Sequence, residues 1–309
     1  MKLRLGTFAV LIALGSFIVG YKGKSFIHEN IYLAFRRTIV STPSKSQYKE
    51  VNCPKDSISI ATFGQSNSAN GMTERSEEKI PSNLYQYDWK SQKCYYYKEP
   101  LLGANGINGN VITYTASKMA RDSDNPIVII PFGVGGTSVL EWAYGDLSHQ
   151  HRIVMERIKK SNLSPRVFLW HQGESDSNPR GKGSLKKVID GPYFKAYFQQ
   201  SGVKKGNMGL TENIYYDALK VVVDLTLNKF PQSSFGIALA TRCGNNPWDP
   251  VRNAQAMVVR DTPRSFISAD SDSITGPERR PDDCHFSAMG ASELGDLYYE
   301  SINRETKGE

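Results

Sequence analysis

Five histidines occur in the 309 residues, and imidazole is the side chain best suited to take and return a proton near neutral pH. His28 lies in an N-terminal segment ahead of the main domain. His149 and His151 stand two apart in a helical stretch and so point apart, and His171 ends an apolar strand. His285 remains, in the run DDCHFSAMG before the last helix, with Asp282 three residues earlier. At that spacing a carboxylate lies on the same side of a turn as the imidazole and can hold it; the plainer alternative is that Asp282 or Asp283 only caps the helix. Ser66 follows the first strand candidate in GQSNS, where a hydroxyl and its own backbone amide face one space; the plainer alternative is a turn serine. Residue 68 is serine rather than glycine, so this is not the GxSxG elbow of an ordinary α/β-hydrolase.

Such residues need a scaffold that brings distant loops to one edge. Short apolar runs at 57–63, 126–132, 166–171, 235–241 and 264–269 are apolar on consecutive positions, as strands buried on both faces should be. Helical segments near 108–121, 148–161, 213–229, 250–261 and 287–303 alternate with them. That order predicts a three-layer α/β/α sandwich around a mostly parallel, five-stranded sheet. In an open parallel sheet ligands bind beyond the carboxyl ends of the strands. The stretches GQSNSANG, GVGGTSVLEW, QGESDSN, RCGNNPW and the run ending in DDCHFSAMG all fall at that edge. A long irregular insertion spans about 172–212.

Other residues on this rim invite a role. Gln65 and Asn67 flank Ser66 and are candidate substrate contacts. Glu174 and Asp176 could be read as a carboxylate pair for glycoside cleavage, although two acids two apart in a loop say nothing of their separation in space; Glu174 is kept as a candidate substrate contact. Arg252 could bind an anionic group or pin a neighbouring loop. Trp142 and Trp248 could stack on sugar rings, while Trp170, within a strand, reads as core. No Cys or His cluster has the spacing of a zinc site, so no metal is expected.

Five blocks then carry weight together: FGQSNSANG, IIPFGVGGTSVLEW, LWHQGESDS, WDPVRNAQ and DDCHFSAMGASELG. In this order, from about residue 58 to 296, the chain resembles the SGNH (GDSL-like) hydrolase superfamily, and within it the sialate and xylan O-acetylesterase group, carbohydrate esterase family six. The resemblance implies a flavodoxin-like fold and a serine esterase that removes acetyl groups from a carbohydrate without cofactor or metal. It implies Ser66 as nucleophile, His285 as base and Asp282 as its orienting acid, with the amides of Ser66 and Gly136 and the side chain of Gln172 as oxyanion donors. Many superfamily members carry Asn in a GxND block where this chain has Ser175, which is why the third donor falls to Gln172. A polysaccharide O-acetyltransferase and a non-catalytic carbohydrate-binding envelope protein are the rival readings. Of the three pairings open to the four cysteines, Cys53 with Cys94 and Cys243 with Cys284 is preferred, because the second bridge would fix the residue beside His285.

The N-terminus bears on the compartment. An uncharged, largely apolar run from Leu5 to Tyr21 is flanked by Lys2, Arg4, Lys22 and Lys24, which marks residues 1–24 as a signal anchor or signal peptide. No AxA site follows, so an anchor with the catalytic domain outside the cytoplasm is preferred. Residues 25–50 read as a membrane-proximal stalk and linker, and 51–309 as the esterase domain. Residues 1–50 hold eight Lys or Arg against two acids, leaving 30 against 29 in the rest, so the formal +7 belongs to the membrane-proximal segment. The domain itself is balanced, and nucleic acid is not expected as a partner.

Overall fold

Strand β2, Ile58–Gly64, lies at the centre of the sheet and ends where Ser66 begins. The computed structural model describes residues 45–177, 209–244 and 246–307. The segment expected to be a signal anchor or signal peptide, the first part of the expected stalk and most of the 172–212 insertion lie outside the described residues. Eight strands form one sheet: β1 (Glu50–Val51), β2, β3 (Leu84–Asp88), β4 (Lys93–Tyr96), β5 (Ile127–Gly133), β6 (Pro165–His171), β7 (Ser234–Leu239) and β8 (Ser265–Asp270). Their order is β1-β4-β3-β5-β2-β6-β7-β8. The six from β3 to β8 along this order run parallel, and β4 and β1 extend the edge antiparallel.

The helices are α1 (Ile112–Arg121), α2 (Val139–Ala143), α3 (Asp146–Lys160), α4 (Glu174–Ser177), α5 (Glu212–Lys229), α6 (Asp249–Asp261) and α7 (Ala288–Lys307). Alternation along the strands divides them into two layers. Ala61, Phe63, Val128, Ile130, Phe132, Phe168 and Trp170 face α2, α3, α5 and α6, in a core that also holds Trp142, Tyr215 and Val251. Ile60, Ile127, Ile129, Val167 and Leu169 face the other way, against Ile112 and Ala116 of α1 and Leu294 and Ile302 of α7. Both faces of the central strands are therefore covered, which is why their sequences are apolar without a break.

The expected α/β/α class holds, with eight strands rather than five. The additional three are short, and β3 and β4 read LYQYD and KCYY, too polar and too brief to stand out by pattern. Their polar members are satisfied locally. Buried Gln86 accepts from the Leu102 amide at 2.8 Å and donates to the Tyr96 and Lys98 carbonyls. The ordered fold also begins earlier than Val51. Lys45 pairs with Asp88 at 2.6 Å, and Tyr48 packs edge-on against Tyr95 and donates to the Pro100 carbonyl. No helix among the described residues is long and apolar enough to cross a membrane.

Two disulfides, Cys53–Cys94 and Cys243–Cys284, each close a separation of 41 residues. The first ties the segment entering β2 to β4, the strand next to edge strand β1. Replacing Cys53 and Cys94 together by serine should cost about 2–4 kcal/mol through the gained entropy of the unfolded chain. Denaturant midpoints should show that loss.

Candidate active site

The backbone turn that presents Ser66 depends on glycine. At the end of β2, Gly64 has φ +127, and a Cβ there would meet the His171 carbonyl oxygen at 2.1 Å. Only glycine allows β2 and β6 to stay paired while the chain turns away from the sheet. A 3-10 turn over Ser66–Ser68 follows, closed by the Ser68 and Ala69 amides on Gln65 and Ser66 carbonyls. Among the described residues the Ser66 amide has no acceptor.

Ser66 Oγ lies 2.9 Å from His285 Nε2, and His285 Nδ1 lies 2.7 Å from Asp282 Oδ2. A carboxylate on Nδ1 fixes the proton there and leaves Nε2 to accept from the serine hydroxyl. Asp282 Oδ1 accepts from the His285 and Cys284 amides at 2.7 and 3.0 Å. Burial acts to raise the Asp282 carboxyl, but these amides and the His285 ring outweigh it and hold the group below its ordinary value. The carboxylate thus holds ring and loop at once. The loop is further pinned by the Cys243–Cys284 bridge, by the Gly244 amide on the Asp283 carbonyl, and by buried Arg280 donating to the Cys284 carbonyl at 2.5 Å.

The turn after β5 sits beside the serine. A Cβ on Gly135 would lie 3.4 Å from Ser66 Cβ. Gly136 follows in the left-handed region, φ +68 with open space around it, and its amide has no acceptor among the described residues. Its orientation is fixed from behind by α2. The Ser138 side chain caps that helix in a capping box with Glu141, and Val139 N donates to Asp176 at 2.8 Å.

Gln172 does not fit the role expected of it. Its side chain is fully buried, and Nε2 donates to the Thr137 carbonyl at 3.0 Å and to Asp176 Oδ2 at 2.8 Å. Both hydrogens are spent, and Oε1 accepts from Tyr215 at 2.9 Å. This amide braces the turn after β5 from below and cannot reach toward an ester.

The expected substrate contacts are likewise buried. Asn67 is 2% exposed and donates to Glu174 Oε1 at 2.8 Å and to the Cys284 carbonyl at 3.2 Å. Glu174, also 2% exposed, stands 3.3 Å from His171 Nε2. Burial works to raise this carboxyl, and the His171 charge with the hydrogen bonds from His171 and Asn67 overcomes it, holding Glu174 at about 2. Gln65 accepts from the Ser175 amide at 3.1 Å behind the serine. Trp142 is core, its indole nitrogen donating to Thr137 Oγ1 at 3.0 Å. Arg252 grips Asp270 and Asp272 at 2.8 and 2.9 Å and pins the end of β8, the structural alternative for this residue. Half-buried Trp248 donates to the Leu210 carbonyl.

The two acids after β6 therefore do not face a common substrate. Asp176 is fully buried with no cation beside it, and burial pushes it up to about 6 against the hydrogen bonds from Val139 and Gln172. Among the described residues no group of His, Cys, Asp and Glu side chains converges as metal ligands would. One polar residue near Ser66 escaped the sequence reading altogether. Asn105, in GANGING, accepts from the Gly135 amide at 2.9 Å through Oδ1. Its loop precedes a helix instead of following a strand, and the glycines on either side were its only signal.

Residues 60–188 match the family model described as "Carbohydrate esterase, sialic acid-specific acetylesterase". A protein of known structure from Arabidopsis thaliana is 15% identical with a TM-score of 0.57, over 79% of this chain and 97% of that one. A carbohydrate acetylesterase from Xanthomonas citri is 13% identical with a TM-score of 0.54, over 82% of this chain and 57% of that one, so the likeness spans little more than half its length. At these identities the likeness is one of fold. No curated protein sequence matches the chain.

Two outcomes follow from the buried positions. Trp142→Ala should cost about 3–5 kcal/mol of stability, as large core truncations do, while Trp142→Phe should leave KM for an acetylated glycan unchanged; a rise in KM with Phe would restore the residue to the substrate wall. For Asp176, a carboxyl whose folded value is raised contributes stability at pH below its unfolded value that is lost as pH rises through about 6. Asp176→Asn removes that loss, so between pH 4 and pH 7 the variant should gain on the parent by about 3 kcal/mol at most, read from denaturant melts at the two pH values.

Proposed function

We propose that the chain is a carboxylic ester hydrolase of the SGNH class and a carbohydrate acetylesterase, in keeping with the family model that residues 60–188 match, and that it cleaves O-acetyl esters of a carbohydrate through an acyl-enzyme on Ser66. The observation that carries this reading is the unbroken relay from Ser66 Oγ through His285 to Asp282, at 2.9 and 2.7 Å. Ser66 Oγ attacks the acetyl carbonyl carbon as its proton passes to His285 Nε2. The carbonyl electron pair moves to oxygen, facing the Ser66 and Gly136 amides. His285 then protonates the sugar oxygen as the ester C–O bond breaks. Water enters, gives its proton to His285, attacks the acetyl carbon, and releases acetate with Ser66 restored. Asp282 stays ionised throughout and stabilises the imidazolium, which its lowered pKa favours.

The carbohydrate and the acetyl group both rest on the family model that residues 60–188 match. Two disulfides accord with an exported protein, where acetylated polysaccharides and sialic acids would be met. Ser66→Ala and His285→Ala should each lower kcat for acetate release from acetylated xylan, O-acetyl sialic acid or 4-nitrophenyl acetate by about 10⁴-fold or more, and Asp282→Asn by about 10⁴-fold, with circular dichroism unchanged. Full activity in Ser66→Ala would sink the mechanism; transfer of acetyl to an added glycan in preference to water would make the protein a transferase.

A further inference from the structure

We propose that the side-chain amide of Asn105 is the third oxyanion donor of this site, in the role that Gln172 cannot fill; the proposal rests on the esterase reading above. A tetrahedral oxyanion gains most from donors fixed in place before the reaction, and two backbone amides, of Ser66 itself and of Gly136 in the turn beside it, have no acceptor among the described residues. Asn105 is the polar side chain held against that same space. Its backbone is locked on both sides, the amide donating to the Gly133 carbonyl at 3.0 Å and the carbonyl accepting from the Asn70 amide at 2.9 Å. Its Oδ1 accepts from the Gly135 amide at 2.9 Å.

That bond decides which end of the carboxamide is free. With Oδ1 committed to Gly135, Nδ2 is the end left over, and it has no acceptor among the described residues, although the residue is only half-buried and its backbone is fully engaged. The position is also right. A Cβ built on Gly135 would lie 3.4 Å from Ser66 Cβ and 3.7 Å from Asn105 Oδ1, so one methyl-sized point touches both side chains. Gly135 cannot itself donate to the oxyanion, because Asn105 has taken its amide. Gly136, one residue on, can. The same hydrogen bond therefore sorts the turn into a structural amide and a free one, and orients a second free donor beside it.

In the reaction step, Ser66 Oγ bonds to the acetyl carbon, the carbonyl π pair moves to oxygen, and the serine proton goes to His285. Asn105 Nδ2 adds a hydrogen bond to that oxygen that the planar ester does not fully make. Such a donor lowers kcat on removal more than it raises KM.

The test uses the full-length protein and 4-nitrophenyl acetate. Asn105→Ala should lower kcat about 10²- to 10³-fold with KM within about threefold. Asn105→Asp keeps an acceptor for the Gly135 amide but presents no donor, and should lose at least as much. Methaneboronic acid, which forms a tetrahedral adduct on the serine, should bind both variants more weakly in proportion to their loss of kcat/KM, while inhibition by acetate stays near the parent value. Activity within fivefold of the parent in Asn105→Ala, or its recovery in Asn105→Asp, would overturn the proposal; the second outcome would make Asn105 only a brace for the turn. If the alanine variant does not fold, the aspartate variant and the boronate series decide alone. A parent that releases no acetate, or a Ser66→Ala variant that still does, would overturn the esterase reading instead.

Discussion

A carboxylate sealed from water loses several kcal/mol of hydration that only close partners return. Glu174 is that carboxylate here: its Oε1 meets His171 from the end of β6 and Asn67 from the turn that carries Ser66, while its buried Oε2 has no hydrogen-bond partner among the described residues. Asn67 reaches on to the Cys284 carbonyl, next to His285, where Arg280 also donates. Ser66 and His285, 219 residues apart in sequence, thus sit on loops that the Asn67 amide joins beneath the surface. Removing Glu174 would leave Asn67 and His171 facing each other without the charge that organises them.

The second acid of the same loop works the other way. Asp176 has no cation, only the amides of Val139 and Gln172, and its raised pKa records how little of its charge is offset. What it contributes is direction. It ties the first turn of α2 to the loop after β6, and with Gln172 it supports the turn bearing Gly136 from below. This edge of the sheet is therefore two layers deep, an outer layer of Ser66, His285, Asp282 and Gly136, and a buried inner layer of amides and acids.

This division explains what could be read from the residues and what could not. The parallel core was legible because strands covered on both faces are apolar at every position, as in Ile127–Gly133. The edge strands were not, because Gln86 and the tyrosines of β3 and β4 balance their polarity by hydrogen bonds that only the fold creates. Asp282 and His285 were legible as a pair because they are local to each other, three residues apart. Gln65, Asn67 and Glu174 were read as substrate contacts, and Gln172 as an oxyanion donor, because polar residues at a strand end look alike whether they face out or in; burial, which separates the two, depends on contacts more than a hundred residues distant. Trp142 was misread for the converse reason, since an aromatic beside a Gly-Gly turn carries no mark of the layer it will fill.

The long reach between Ser66 and His285 has a consequence for how the protein matures. A chain emerging from its amino end forms β2 and exposes Ser66 early, yet the base arrives only with the segment before α7, and that segment is then closed by Cys284 onto Cys243. Contacts of such wide sequence separation are made late in folding, after the loop entropy between them has been met. Ser66 is thus without His285 until the carboxyl-terminal helix docks, and the bridge to Cys243 seals only where the compartment is oxidising.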